Sequence, residues 1–159
     1  MSQRFTVRVG DAVAEAAPDL WGLFIEDLND ALDGGLNAER VRNGDFEFDA
    51  SEREGFHQLA GWTAEGEVAV RTEDPLHPNN AHYARLTGPA ALANGGWDGV
   101  AAARGERMRV SLFARADADT AIDVQVAGGA AAAVLEVPQG GWRLVEADLE
   151  AAADGRGEL

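Results

Sequence analysis

Short apolar runs with a period of two dominate the chain. Phe5, Val7 and Val9 alternate with Thr6 and Arg8, and the run ends at Gly10-Asp11, a turn signal, which predicts a first strand. Leu20 to Ile25 is continuously apolar between Pro18-Asp19 and Glu26-Asp27, the form of a strand buried on both faces, as in a parallel sheet or barrel. From Asn29 to Arg42 the pattern is mostly loop, interrupted by Asp33-Gly34-Gly35, with one short helix predicted around Ala38 to Val41. After Asn43 the texture becomes short apolar runs separated by Gly, Pro, Asn and Asp, at intervals that suit an antiparallel sandwich. The clearest strand is Arg107 to Arg115: Met108, Val110, Leu112 and Ala114 share one face, and Arg107, Arg109, Ser111, Phe113 and Arg115 the other. Glu67 to Thr72, His82 to Thr87, Ala121 to Ala127, Ala132 to Val137 and Trp142 to Leu149 complete an all-β sandwich.

Composition narrows the function classes. The 159 residues carry 13 Arg, no Lys and 28 Asp plus Glu, a formal charge of −15. Such an excess repels a phosphate backbone and an anionic bilayer surface, so neither nucleic acid nor membrane is an expected partner. With no Cys, disulfides, thiolate metal sites and a thiol nucleophile are excluded. No continuous apolar core of a secretory signal occurs in the first 20 residues, from which a cytoplasmic location is expected. His57, His77 and His82 are too scattered for a zinc spacing, and no Gly-Gly pair is followed by the Lys-Ser/Thr of a phosphate loop. Asp45 and Glu47 offer hard oxygen ligands, but their spacing specifies no calcium site. Neither metal nor cofactor is expected.

The stretch from Leu20 to Phe48 carries a longer signature. Gly22, Phe24, Glu26, Asp27 and Asn29 are followed by Asp33, Gly34, Gly35, Leu36, Ala38 and Glu39, then by Arg42, Asn43, Phe46 and Glu47. This resembles the N-terminal signature of glycoside hydrolase family 51, the α-L-arabinofuranosidases, departing from it at Asp30, where that family commonly has His. Asn43-Gly44-Asp45-Phe46-Glu47, with Gly61-Trp62 and Gly141-Trp142 beyond it, resembles a carbohydrate-binding module of the family 4/9 jelly-roll type. The resemblance implies a segment 1–42 holding the first strand of a (β/α)8 barrel, and a jelly roll over 43–159 that lacks its last strand or strands. It also implies that the catalytic pair is absent. In the family the acid/base and nucleophile are two Glu on later barrel strands, the first in an Asn-Glu dipeptide, and this sequence contains no such dipeptide. Retaining glycosidases need two carboxyls about 5 to 5.5 Å apart across the scissile bond, whereas the adjacent Glu26 and Asp27 would point to opposite sides of a strand.

Four residues are candidates for substrate contact. By the resemblance, Glu26 stands at the end of the first barrel strand in the sugar pocket, where barrel chemistry is built. Asn94, Trp97 and Asp98 belong to Asn94-Gly95-Gly96-Trp97-Asp98-Gly99, a glycine-rich loop offering an aromatic face, an amide and a carboxylate to a sugar. Trp97 reads equally as a sugar platform or as packing. Trp21, Trp62 and Trp142 are expected to pack, and Phe113 with its neighbouring Arg residues reads as a groove lining or a solvated face. The functional expectation is a non-catalytic N-terminal part of an arabinofuranosidase that binds an arabinose-containing glycan. The alternative is a structural or oligomerisation sandwich. An unfinished sheet leaves an edge that recruits another strand, so Phe5 to Val9 or a second copy of the chain is expected to cover it.

Overall fold

The computed structural model describes Thr6, Gly10 and residues 39–159. The expected strands at Phe5 to Val9 and Leu20 to Ile25, and with them Glu26, lie outside the described residues, Thr6 apart. The regular structure of the described residues is almost wholly strand: β1 Trp62–Arg71, β2 Tyr83–Asn94, β3 Val100–Ala102, β4 Arg107–Ala116, β5 Thr120–Val126, β6 Ala131–Val137, β7 Gly140–Glu150 and β8 Gly155–Gly157. Glu39 to Val41 is not helical. Arg40 reaches away instead, pairing with Glu106 and donating to the Ala101 carbonyl.

All strand pairings among the described residues are antiparallel. β1 pairs with β2, while β3–β8, β4–β7 and β5–β6 are nested one inside the next. A nested ribbon of this kind, rolled so that its apolar faces meet, is the winding of a jelly roll. The fold is therefore the all-β sandwich that the alternation predicts. Its core among the described residues is Val100, Ala102, Ala114, Val124, Val126, Ala127, Ala130, Ala131, Leu135, Val137, Val145, Leu149 and Ala151, with Met108, Val110 and Leu112 of β4 packed against it. Six of these thirteen are Ala, so each strand buries little apolar area and depends on its ladder.

Two sequence expectations change. β2 continues past Thr87 through Gly88-Pro89, a dipeptide that reads as a turn. It does so because the ladder is already broken opposite: the register shifts between Glu65 and Glu67, and Gly66 adopts a left-handed φ of 77°. Proline, which has no amide to donate, sits at this bulge. The polar C-terminal stretch is likewise a strand. β8 pairs with β3, Glu158 O accepts from Ala127 N at 3.0 Å, and Leu159 exchanges two backbone bonds with Asn94 at 3.0 and 3.1 Å. No helix among the described residues is long and apolar enough to cross a membrane.

Candidate functional site

The glycine-rich loop after β2 is built around Asn94, which is fully buried. Its side-chain oxygen accepts from the amides of Arg42 at 3.1 Å and Gly96 at 2.9 Å, and its Nδ2 donates to the Arg42 carbonyl at 2.9 Å. The side chain thus ties residues 40–48 to the sandwich and shapes the loop, and it presents no surface to a ligand. Asp98 is exposed and paired with Arg156 through its carboxylate at 2.6 Å. Trp97 is half-buried. The Arg42 guanidinium lies 5.3 Å from its ring centre, and also 5.4 Å from Phe56 and 5.9 Å from Phe48. Phe48 and Phe56 stack on each other at 4.5 Å. Arg42 Nε and Trp97 Nε1 are buried donors without an acceptor.

The other described Trp residues serve packing. Trp62 stacks on Phe46 at 5.2 Å and donates Nε1 to the Asn43 carbonyl at 2.9 Å. Trp142 donates to the Asp74 carbonyl and meets Tyr83 edge-on at 5.2 Å, with the Arg115 guanidinium 4.8 Å from Tyr83 and 4.9 Å from Trp142. On the outer face of β4 and β7, Phe113 and Leu144 are cross-strand partners, 51% and 52% exposed, beside the Arg109–Asp148 pair. Trp21 lies outside the described residues.

A second feature is an open cleft of about 390 Å³ lined by Gln58, Val70, Arg71, Thr72, Glu73 and His82. Its walls come from three separate segments. The His82 ring is fixed by Glu47, whose Oε2 lies 2.6 Å from Nδ1, while Glu47 Oε1 accepts from His82 N at 2.8 Å and Asn80 Nδ2 at 3.1 Å. Burial pushes the Glu47 carboxyl up, but the bonds from His82 and Asn80 outweigh it and hold the group below the usual carboxylate range. The loop wall is pinned from behind, since Tyr83 Oη and Arg115 Nη2 both donate to the Glu73 carbonyl, at 2.9 and 3.0 Å. The Glu73 carboxyl is lowered by its own amide and that of Thr72, with help from the charges of Arg71 and Arg115. The Arg71 guanidinium and the Gln58 side-chain amide have no hydrogen-bond partner among the described residues. Of these groups the sequence singles out only Glu47, through a motif, and His82, as one of three histidines too scattered for a zinc spacing. Residues that converge from distant segments leave no local spacing to read. No group of three or more potential metal ligands occurs among the described residues.

No protein-family model matches the chain. It is 31% identical over 163 aligned residues to an extracellular exo-α-L-arabinofuranosidase of Streptomyces chartreusis, a match covering 98% of this chain and 20% of that protein. The solved structure of an arabinose-bound family 51 α-L-arabinofuranosidase superposes with a TM-score of 0.65 at 21% identity, over 84% of this chain and 24% of that one. The chain therefore spans about a fifth of its relative, and corresponds in sequence to part of an α-L-arabinofuranosidase. The motif resemblance seen at Leu20 to Phe48 extends along the chain. The expected cytoplasmic location is corrected, because the relative is an extracellular protein. The first residues of a chain that matches one fifth of its relative are no guide to where the whole protein resides.

Proposed function

We propose that this chain is the non-catalytic N-terminal part of an α-L-arabinofuranosidase acting on arabinose-containing polysaccharides or oligosaccharides, and that its sandwich binds the glycan. Residues 1–42 would supply the first barrel strand, with Glu26 at its end contacting substrate, and 43–159 the binding module. The observation that carries the reading is the match over 98% of the chain to one stretch of an arabinofuranosidase. In the glycine-rich loop, Trp97 and Asp98 keep surface for a sugar, whereas Asn94 would act through the shape of the loop. The test is direct. The purified chain should bind arabino-oligosaccharides by calorimetry while releasing no nitrophenol from 4-nitrophenyl α-L-arabinofuranoside; turnover by the chain alone would overturn the non-catalytic assignment.

One observation favours a structural sandwich instead: the Asn94 clamp and the aromatic enclosure of Arg42 occupy the loop that would otherwise serve a sugar. That reading expects no heat on glycan titration and no change in Trp fluorescence. It also expects a self-association that tracks concentration in sedimentation.

A further inference from the structure

We propose that the cleft between the end of β1, the loop 72–74 and His82 is a glycan site of this sandwich, taking the vicinal hydroxyls of a neutral arabinofuranosyl unit. This rests on the glycan-binding reading and goes beyond it by adding a site apart from the Trp97 loop.

The chemistry of the lining selects the ligand class. The cleft is open to solvent, with a volume of about 390 Å³. An anion would face the Glu73 carboxylate, a cation would face the Arg71 guanidinium, and an apolar ligand would find only Val70. What suits all of them is a group that both donates and accepts. A sugar hydroxyl donates to a carboxylate and accepts from a guanidinium, amide or imidazole, so the mixed set Gln58, Arg71, Thr72, Glu73 and His82 matches a row of neighbouring hydroxyls. Neither the Arg71 guanidinium nor the Gln58 side-chain amide spends a hydrogen bond on another described residue.

The cleft is also held in shape before any ligand arrives. Glu47 bonds the His82 ring through Nδ1, which leaves Nε2 as the nitrogen available to a ligand. Tyr83 and Arg115 fix the Glu73 carbonyl and Trp142 fixes that of Asp74, so the loop carrying Thr72 and Glu73 does not have to be ordered on binding. Preorganisation of this kind lowers the entropic cost that makes sugar binding weak.

The experiment is a titration of the isotope-labelled chain with α-1,5-L-arabinotriose, followed by backbone amide NMR, alongside calorimetry on Gln58→Ala, Glu73→Gln and Val134→Thr variants. The shifts should concentrate at Gln58, Arg71 to Glu73 and His82. Glu73→Gln should weaken binding by about tenfold, the loss expected for a hydrogen bond to a charged group, and Val134→Thr, at an exposed position of β6, should leave it unchanged. Far-ultraviolet circular dichroism on each variant separates lost binding from lost fold. Binding with shifts centred on Gly95 to Gly99, or insensitive to both cleft substitutions, overturns the cleft and leaves the glycan-binding reading standing. No binding of arabinotriose by the wild-type chain overturns both.

Discussion

Asn94 joins residues 40–48 to the sandwich through three side-chain hydrogen bonds at a fully buried position. Replacing it with Ala would strand the Arg42 and Gly96 amides, and unsatisfied buried groups are costlier than the bonds are beneficial. Asn94→Ala is expected to destabilise the chain by about 2 to 4 kcal/mol, read as a lower urea midpoint at unchanged slope; a loss within error would show that water replaces the clamp. In sequence this Asn is indistinguishable from a ligand-facing loop amide, since a Gly-rich context is equally that of a binding loop and of a buried turn. Trp97 was legible only as an aromatic in such a loop, and its enclosure depends on Arg42, Phe48 and Phe56, all in a distant segment of the chain. Glu47 makes a second prediction. Its carboxyl is held below the usual range by His82 and Asn80, so the folded state binds its proton less readily than the unfolded chain. The stabilisation is fully present above the ordinary value of 4.5 and disappears as pH falls through the lower folded value. Glu47→Gln should therefore be less stable than wild type at pH 7, and the gap should narrow as the medium is acidified toward pH 3, measured by urea denaturation across that range; a gap independent of pH would assign the loss to packing alone.

Strands that bury one face were plain in the sequence, and strands that depend on a distant partner were not. β4 reads correctly from Arg107 onward because its alternation reports burial directly, with Met108, Val110 and Leu112 inward and Phe113 outward. The second half of β2 is hidden by Gly88-Pro89, whose turn chemistry is overridden by the bulge at Gly66. β8 is hidden because Gly-Arg-Gly has no apolar pattern at all. Its glycines serve close approach instead: a Cβ at Gly155 would stand 2.8 Å from Ala130 Cβ. The Gly66 bulge has the same requirement, since a side chain there would adopt φ +77° with its Cβ 2.9 Å from Ala90 Cα. Gly66→Val should cost about 2 kcal/mol or more through strain and collision, whereas Gly88→Ala meets nothing within 4 Å and should cost only its positive φ. Comparing the two midpoints checks the bulge, and equal losses would remove the steric argument. Removing residues 155–159 is a harsher test of the same principle. It unpairs β3, frees Ala127 N and breaks both Asn94–Leu159 bonds, so the truncated chain is expected to lose its cooperative thermal transition.

At the scale of the molecule the dominant quantity is charge. Even if each of the 13 Arg were paired, 15 carboxylates would remain, and their mutual repulsion opposes compaction at neutral pH. The ion pairs present are mostly exposed, such as Arg109–Asp148 and Arg107–Glu150, and pairs of that kind contribute about 0 to 1 kcal/mol each. Salt weakens both terms, but repulsion is the larger, because the excess acids outnumber the pairs and act over distances comparable to the screening length of about 10 Å at 0.1 M salt. The expected result is a rise in thermal midpoint as sodium chloride is raised from about 0.01 M to 0.5 M. Part of the repulsion has an address. Asp123 on β5 stands opposite Val134, and Glu136 on β6 opposite Ala121, so the two acids are diagonal neighbours on the outer face of one strand pair, roughly 7 to 8 Å apart by ladder geometry. Neutralising both, as Asp123→Asn with Glu136→Gln, should raise the midpoint at low salt and flatten its dependence on salt. If the double variant instead gains as much at high salt as at low, the benefit comes from strand propensity rather than relieved repulsion, and the excess charge is spread too widely for any one face to dominate.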